Sequence, residues 1–206
     1  AMGKGGTYAD LFFEHKISNN LGLQDGKVNR AYSNIDYGVG IRVLNGDQTG
    51  FAYSETVTME AMLKAAQTAA NIASGTPATG AVNIAEMTPA NYYAIQKTWA
   101  EVSVKDKIPF VQKLNDKVFS MDEQVIKVNA FLNDETGYVM LFNSEGTLTY
   151  DYRPMVSFGL VTVMQKDGRI ENSYVSRSFR QGFEFLNDDI INTLADEGIK
   201  QTALKF

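Results

Sequence analysis

The chain has 206 residues, 44% hydrophobic and 21% charged, which is ordinary globular composition with enough length to bury a real core as one domain or two small lobes. Its net charge of −5 gives no electrostatic case for a nucleic-acid partner, and the densest basic stretch, SRSFR with Arg177 and Arg180, reads as a solvated strand face. The absence of cysteine excludes disulfides and thiolate chemistry and is compatible with a cytosolic protein, and no run approaches the ~20 apolar residues of a membrane-spanning helix.

The amino-terminal stretch AMGKGGTYADLFFE lacks the charged-then-apolar pattern of a signal peptide. Within it, Thr7–His15, with Tyr8, Leu11, Phe12 and Phe13, predicts a mostly buried strand. Lys16–Leu23 follows, then Asp25-Gly26 as a hairpin turn and Lys27–Tyr32 as a returning strand. Ser33–Ser54 predicts a second hairpin. Ile35, Tyr37, Val39, Ile41 and Val43 alternate along its outgoing strand, Asn45-Gly46 turns the chain, and Thr49–Tyr53 returns. Gly38 and Gly40 lie inside the outgoing strand, where glycine marks a bulge or a close backbone approach. Four or five antiparallel strands are thus expected before a helix capped by Thr58, with Glu60 in its first turn. Met59, Met62, Leu63, Ala66, Ala70 and Ala73 mark its apolar face.

Periodicity dissolves between Ser74 and Val102, and this stretch reads as a linker docked through Tyr92, Tyr93 and the packing anchor Trp99. A middle helix is expected from Asp106 as its cap, with Pro109 in the first turn and Val111, Leu114 and Val118 as its stripe. Candidate strands then run over Gln124–Leu132, Gly137–Asn143, Thr147–Tyr152, Met155–Gln165 and Ile170–Arg177, with turns at Glu145-Gly146 and Asp167-Gly168. Asn187-Asp188 caps a last helix bearing Ile190, Ile191, Leu194 and Ile199. LQDGKV from Leu23 and NSEGTL from Asn143 introduce similar hairpin-then-helix stretches, which suggests an approximate duplication.

The expected fold is therefore α+β: two antiparallel-sheet-plus-helix halves, residues 1–75 and 103–206, joined by a linker over 76–102 and the middle helix. The chain begins with Ala, and Gln201–Phe206 run out of a helical pattern without a cap, so a piece of a longer protein is expected.

Chemistry is sparse. His15 is the single histidine and reads as a strand-end side chain. With no cysteine beside it, a zinc site of nitrogen and sulfur ligands cannot be completed, and a Ser-His-Asp arrangement has no marked nucleophile. Gly38-Val39-Gly40 is not a dinucleotide fingerprint, because Val43 stands where the third glycine belongs and the run lies inside a strand. No Walker-type phosphate loop occurs. The carboxylate pairs Asp134-Glu135, Asp188-Asp189 and Asp196-Glu197 are assigned to turns and helix ends. Alone, these residues describe a scaffold or binding domain without an active site.

NIDYGVGIRVLNGDQTGFAYS at Asn34–Ser54, LQDGKVNRAY at Leu23–Tyr32 and YADLFFE at Tyr8–Glu14 together resemble the amino-terminal part of the TldD/PmbA family. Its members are bacterial and archaeal metallopeptidases formerly called modulators of DNA gyrase. SEGTLTYDYRPMVSFGLVTVMQKDGRIENSY at Ser144–Tyr174, with its Arg153-Pro154 step, is similar to the family's central region, and FAYS is closer to the TldD branch than to the PmbA (TldE) branch. The family's zinc motif, His-Glu followed three residues later by His, has no counterpart here, so the resemblance carries no catalytic, cofactor or metal residue onto this chain. It implies a non-catalytic amino-terminal domain of a cytoplasmic zinc-dependent peptidase. Such a domain covers the zinc domain and helps form the peptide cleft and a homo- or heterodimer. Unfolded or extended peptide is the expected partner, with Gly38 and Gly40 as candidate contacts on a strand edge; no nucleic acid or membrane is expected. The alternatives are a partner-type (PmbA/TldE-like) subunit or a stand-alone peptide-binding module, and a DNA-modulator role rests only on the family's old name.

Overall fold

The computed structural model describes residues 1–75 and 83–206, so the first residues of the expected linker, 76–82, lie outside the described residues. In chain order the elements are β1 (Tyr8–Gln24), β2 (Lys27–Asn45), β3 (Gln48–Ser54), α1 (Met59–Ile72), β4 (Ala85–Met87), α2 (Val104–Met121), β5 (Val125–Asn143), β6 (Thr147–Lys166), β7 (Arg169–Phe179) and α3 (Asp188–Ala203). The fold is α+β, and the order of three strands then a helix occurs twice, as β1-β2-β3-α1 and β5-β6-β7-α3.

Turn chemistry explains the hairpins. Asp25 and Gly26 take φ of 49° and 78°, and Asp167 and Gly168 take 48° and 79°, the positive pairs that a two-residue hairpin loop favours. The β2–β3 loop differs from expectation by one residue. Asn45 pairs with Gln48, so the loop is Gly46-Asp47, with Gly46 alone at positive φ. Asn45 is spared for the strand, and its side-chain amide donates to the Ser74 carbonyl at 2.8 Å.

The expected short strands fuse into long ones. Lys16–Leu23 continues β1, Lys27–Tyr32 continues into the hairpin strand as β2, and the break expected at residues 133–136 is absent from β5. β6 likewise runs through Arg153-Pro154. β4 pairs with β6 in parallel at Thr147–Thr149, and β7 pairs with it antiparallel from Val156 onward. Pro154 falls in the gap between these two registers, where a strand tolerates a missing N–H.

Strands hydrogen-bond in the order β3-β2-β1-β5-β6, with both β4 and β7 on β6. The chain divides into two compact units. Unit 1 holds Ala1–Lys16, Ile35–Asn91 and Gly137–Arg153; unit 2 holds Ile17–Asn34, Tyr92–Thr136 and Pro154–Phe206.

In unit 1, Val39, Ile41 and Val43 are buried with Ala65, Ala66, Ala69, Ala70 and Ala73. Ile35 and Tyr37, expected in the same stripe, are exposed. Thr58 caps α1 as expected, its hydroxyl accepting from the Ala61 N–H. The buried face is turned from the predicted one. Met59 and Leu63 are exposed and Ala65 and Ala69 are buried, because α1 lies so close to β3 that only alanine fits between them.

In unit 2, Val111, Leu114 and Val118 of α2 pack with Ile191, Leu194 and Ala195 of α3 and with Val128, Leu132, Phe158 and Leu160 of the sheet. α2 is capped three residues earlier than expected. Ser103 is its cap, and Asp106 sits three residues on, returning a bond to the Ser103 N–H in a capping box. Pro109 consequently lies inside the helix instead of in its first turn.

Trp99 is buried as the expected anchor, its indole N–H donating to the Gln181 carbonyl at 2.8 Å, whereas Tyr92 and Tyr93 are exposed. Glu184 braces this joint by accepting from the N–H groups of Lys97 and Gly182. Burial pushes the Glu184 carboxyl up, but the N–H groups of Glu184 itself, Gly182, Lys97 and Gln96 outweigh it and hold the carboxyl below its usual 4.5. A depressed carboxylate contributes stability that is present above its unfolded value and lost as pH falls through the folded one. Trp99 is the chain's single tryptophan. Its fluorescence should therefore show an acid transition below pH 4.5 that Glu184→Gln removes; an unchanged titration in the variant refutes the brace.

Candidate functional site

Strand register sorts unit 1's side chains onto two faces. Ile41 opposes Ala52 and Val43 opposes Gly50, all toward α1; Gly40 opposes Tyr53 and Arg42 opposes Phe51 on the other side. On that second face a groove of about 560 Å³ opens. Its floor includes Gly38 and Gly40, the two residues singled out as peptide contacts. Phe12 and Glu14 from β1 and Phe51 and Tyr53 from β3 line it, with Asp36 from β2 and Glu55 just beyond β3.

The glycines are there for space. A Cβ on Gly40 would lie 3.2 Å from the Phe51 ring, and one on Gly38 would lie 2.6 Å from the Ser54 carbonyl oxygen. β3 pairs with β2 only from Val39 to Asn45, so residues 35–38 lie beyond its register. Ile35, Tyr37, Phe51 and Tyr53 are all more than half exposed, an apolar concentration that single scattered surface residues do not produce. Near the groove, Arg42 is held by Asp10, whose hydrogen bond and charge raise the guanidinium pKa further.

His15 lies inside β1, not at a strand end. Its ring packs edge-on against Tyr37 at 5.5 Å and lies 6.3 Å from Tyr138. Among the described residues no three His, Cys, Asp or Glu side chains converge to hold a metal, so the donor set present does not fit a zinc site.

The carboxylate pairs depart from expectation in two cases. Asp134-Glu135 lies in the middle of β5, and Asp196-Glu197 in the middle of α3; Glu197 pairs there with Arg177. Only Asp188-Asp189 holds its expected place in the first turn of α3. Asp134 is fully buried in unit 2 and accepts from Lys107 at 2.6 Å and from the Asn19 amide at 2.9 Å. A surface-turn assignment fails because its partner comes from α2, which no local pattern reveals. The aromatic walls of the groove were equally missed. Their signal was present in the alternation of Phe51 and Tyr53 with Gly50 and Ala52, which puts two large rings opposite the helix-facing small residues.

Residues 9–73 match the family model described as PmbA/TldA metallopeptidase domain 1, and residues 97–205 match its metallopeptidase central domain. The chain belongs to the TldD/PmbA family. A metalloprotease TldD homolog of Haemophilus influenzae is 28% identical, over 97% of this chain and 43% of the relative. Another from Buchnera aphidicola subsp. Schizaphis graminum is 24% identical, over 86% of this chain and 37% of the relative. The chain thus spans about two-fifths of the length of these relatives. A Thermotoga maritima protein described as a modulator of a DNA gyrase shares the fold at a TM-score of 0.73 and 18% identity, covering 93% of this chain and 44% of the other. TldE from Thermococcus kodakarensis aligns at 0.65 and 15%, covering 96% and 44%. Among the described residues no helix is long and apolar enough to cross a membrane.

Proposed function

We propose that this chain is the non-catalytic amino-terminal part of a zinc-dependent, cytoplasmic peptidase of the TldD/PmbA type. It would cover the zinc domain, help form the peptide cleft and take part in a homo- or heterodimer. The supporting observation is the ordered match to the family's first and central domains, in a chain that spans 43% of a relative named a metalloprotease. Zinc ligands and peptide hydrolysis are assigned to the rest of such a parent, and no catalytic step is assigned to these residues.

What this chain contributes is peptide handling. Residues 35–38 of β2 run past the end of β3's register beside an aromatic groove, and an unpaired strand edge is a template for adding an extended segment. The test uses the intact parent protein with a photo-crosslinking residue in place of Ile35 and an unfolded peptide. Capture at this position, together with bound zinc and peptide cleavage, supports the proposal. Cleavage without capture removes the groove from it. An intact parent that holds no zinc and cleaves nothing replaces the peptidase reading with the partner-type subunit.

A further inference from the structure

The groove's walls and rim do more than admit a peptide. Glu14, Asp36 and Glu55 line it, and no Lys or Arg does. Asp36 is paired with Lys16 at 3.0 Å, whereas Glu14 and Glu55 make no ion pair among the described residues. Two uncompensated carboxylates beside exposed aromatic rings form an environment that attracts cations twice over, by charge and by the negative faces of the rings. Phe51 and Tyr53 stand on the same face as the glycine floor, so a long side chain can lie along Gly38 and Gly40 with its stem against the rings.

We infer that the groove selects extended peptide segments carrying a lysine or arginine side chain between apolar residues. The basic head is held by Glu14 and Glu55, its stem packs on Phe51 and Tyr53, and the segment's backbone adds to β2 beside residues 35–38. This rests on the peptide-docking reading above and gives it a substrate class. The alternation of strand side chains accounts for the neighbours. With one basic residue pointing into the groove, the residues on either side point to the opposite face of the added segment, and apolar side chains there can meet the exposed Ile35 and Tyr37 at the groove's edge.

The test measures binding of three fluorescent peptides to the intact protein, identical but for lysine, norleucine or glutamate at the centre. The lysine peptide should bind about ten-fold more tightly than the norleucine peptide, the glutamate peptide more weakly than both, and the lysine advantage should shrink with added salt. Glu14→Gln with Glu55→Gln should erase the lysine advantage, so that the lysine and norleucine peptides bind with equal affinity. Equal affinity for all three peptides, with crosslinking at position 35 retained, overturns the charge selection and leaves peptide docking standing. Loss of crosslinking with every peptide overturns both.

Discussion

Asp134→Ala is expected to destabilise the protein by about 3–5 kcal/mol, a large part of the ~5–15 kcal/mol that holds a typical domain together. The Asp134 carboxylate is fully buried and the Lys107 side chain is only 4% exposed. Removing the acid leaves an ammonium out of water with no counter-charge; its remaining neighbour is the Trp99 ring, 5.5 Å from Nζ to the ring centroid. The ring's quadrupole cannot replace a carboxylate at 2.6 Å. Asn19, which donates to the other Asp134 oxygen and accepts from Ser33, loses its partner as well. Replacing both members with apolar residues, Lys107→Met with Asp134→Leu, should recover most of the loss, because a buried pair's desolvation cost goes with it. Urea unfolding followed by circular dichroism gives both values. A single-variant loss below about 1 kcal/mol, or a double variant no better than the single, would show that the pair is not a buried latch between α2 and β5.

This latch also shows where sequence reasoning stops. The Asp25-Gly26 and Asp167-Gly168 turns were legible because local backbone sterics alone favour them. So were the Thr58 and Asn187 caps and the Val111, Leu114 and Val118 stripe, all short-range features. Strand length was not. Gly137 and Pro154 are breakers in isolation, but a Cβ on Gly137 would lie 3.3 Å from the Arg153 carbonyl oxygen, so the position is tight and a glycine fits it without crowding. Glycine there meets a close backbone neighbour, and the strands continue. The face of α1 was misplaced for a related reason, since alanines carry little periodic signal beside Met59 and Leu63. At the candidate site, Gly38 and Gly40 were visible as anomalies within a strand. The rings and acids around them come from β1 and β3, and only the register unites them.

Gly50→Ala is the second large effect, and it follows from that small-residue face. A Cβ at position 50 would lie 1.9 Å from the Ala69 carbonyl oxygen, 2.8 Å from the Ala69 carbonyl carbon and 3.2 Å from the Ala73 nitrogen. All three are backbone atoms, so no side-chain rotation relieves the clash, and α1 must move away from β3. Alanines at 65, 66, 69, 70 and 73 give that helix little apolar area per residue, so its attachment depends on contact at van der Waals distance. A shift of even a fraction of an ångström forfeits much of this attraction around the whole face. The expected cost is about 1–3 kcal/mol or more, greater for Gly50→Val. Ala69→Gly in the same chain should give no rescue, because it removes a methyl group and leaves the carbonyl in place. Amide hydrogen exchange should accelerate across Met59–Ile72 in the variant. Stability within about 0.5 kcal/mol of the parent sequence would mean that α1 does not sit on β3 as described. Since Phe51 and Tyr53 leave the opposite face of β3 on either side of Ala52, a displaced strand also moves one wall of the groove. Peptide capture at position 35 should then fall in Gly50→Ala even though residue 50 does not line the groove, and this ties the closeness of the helix to the shape of the candidate site.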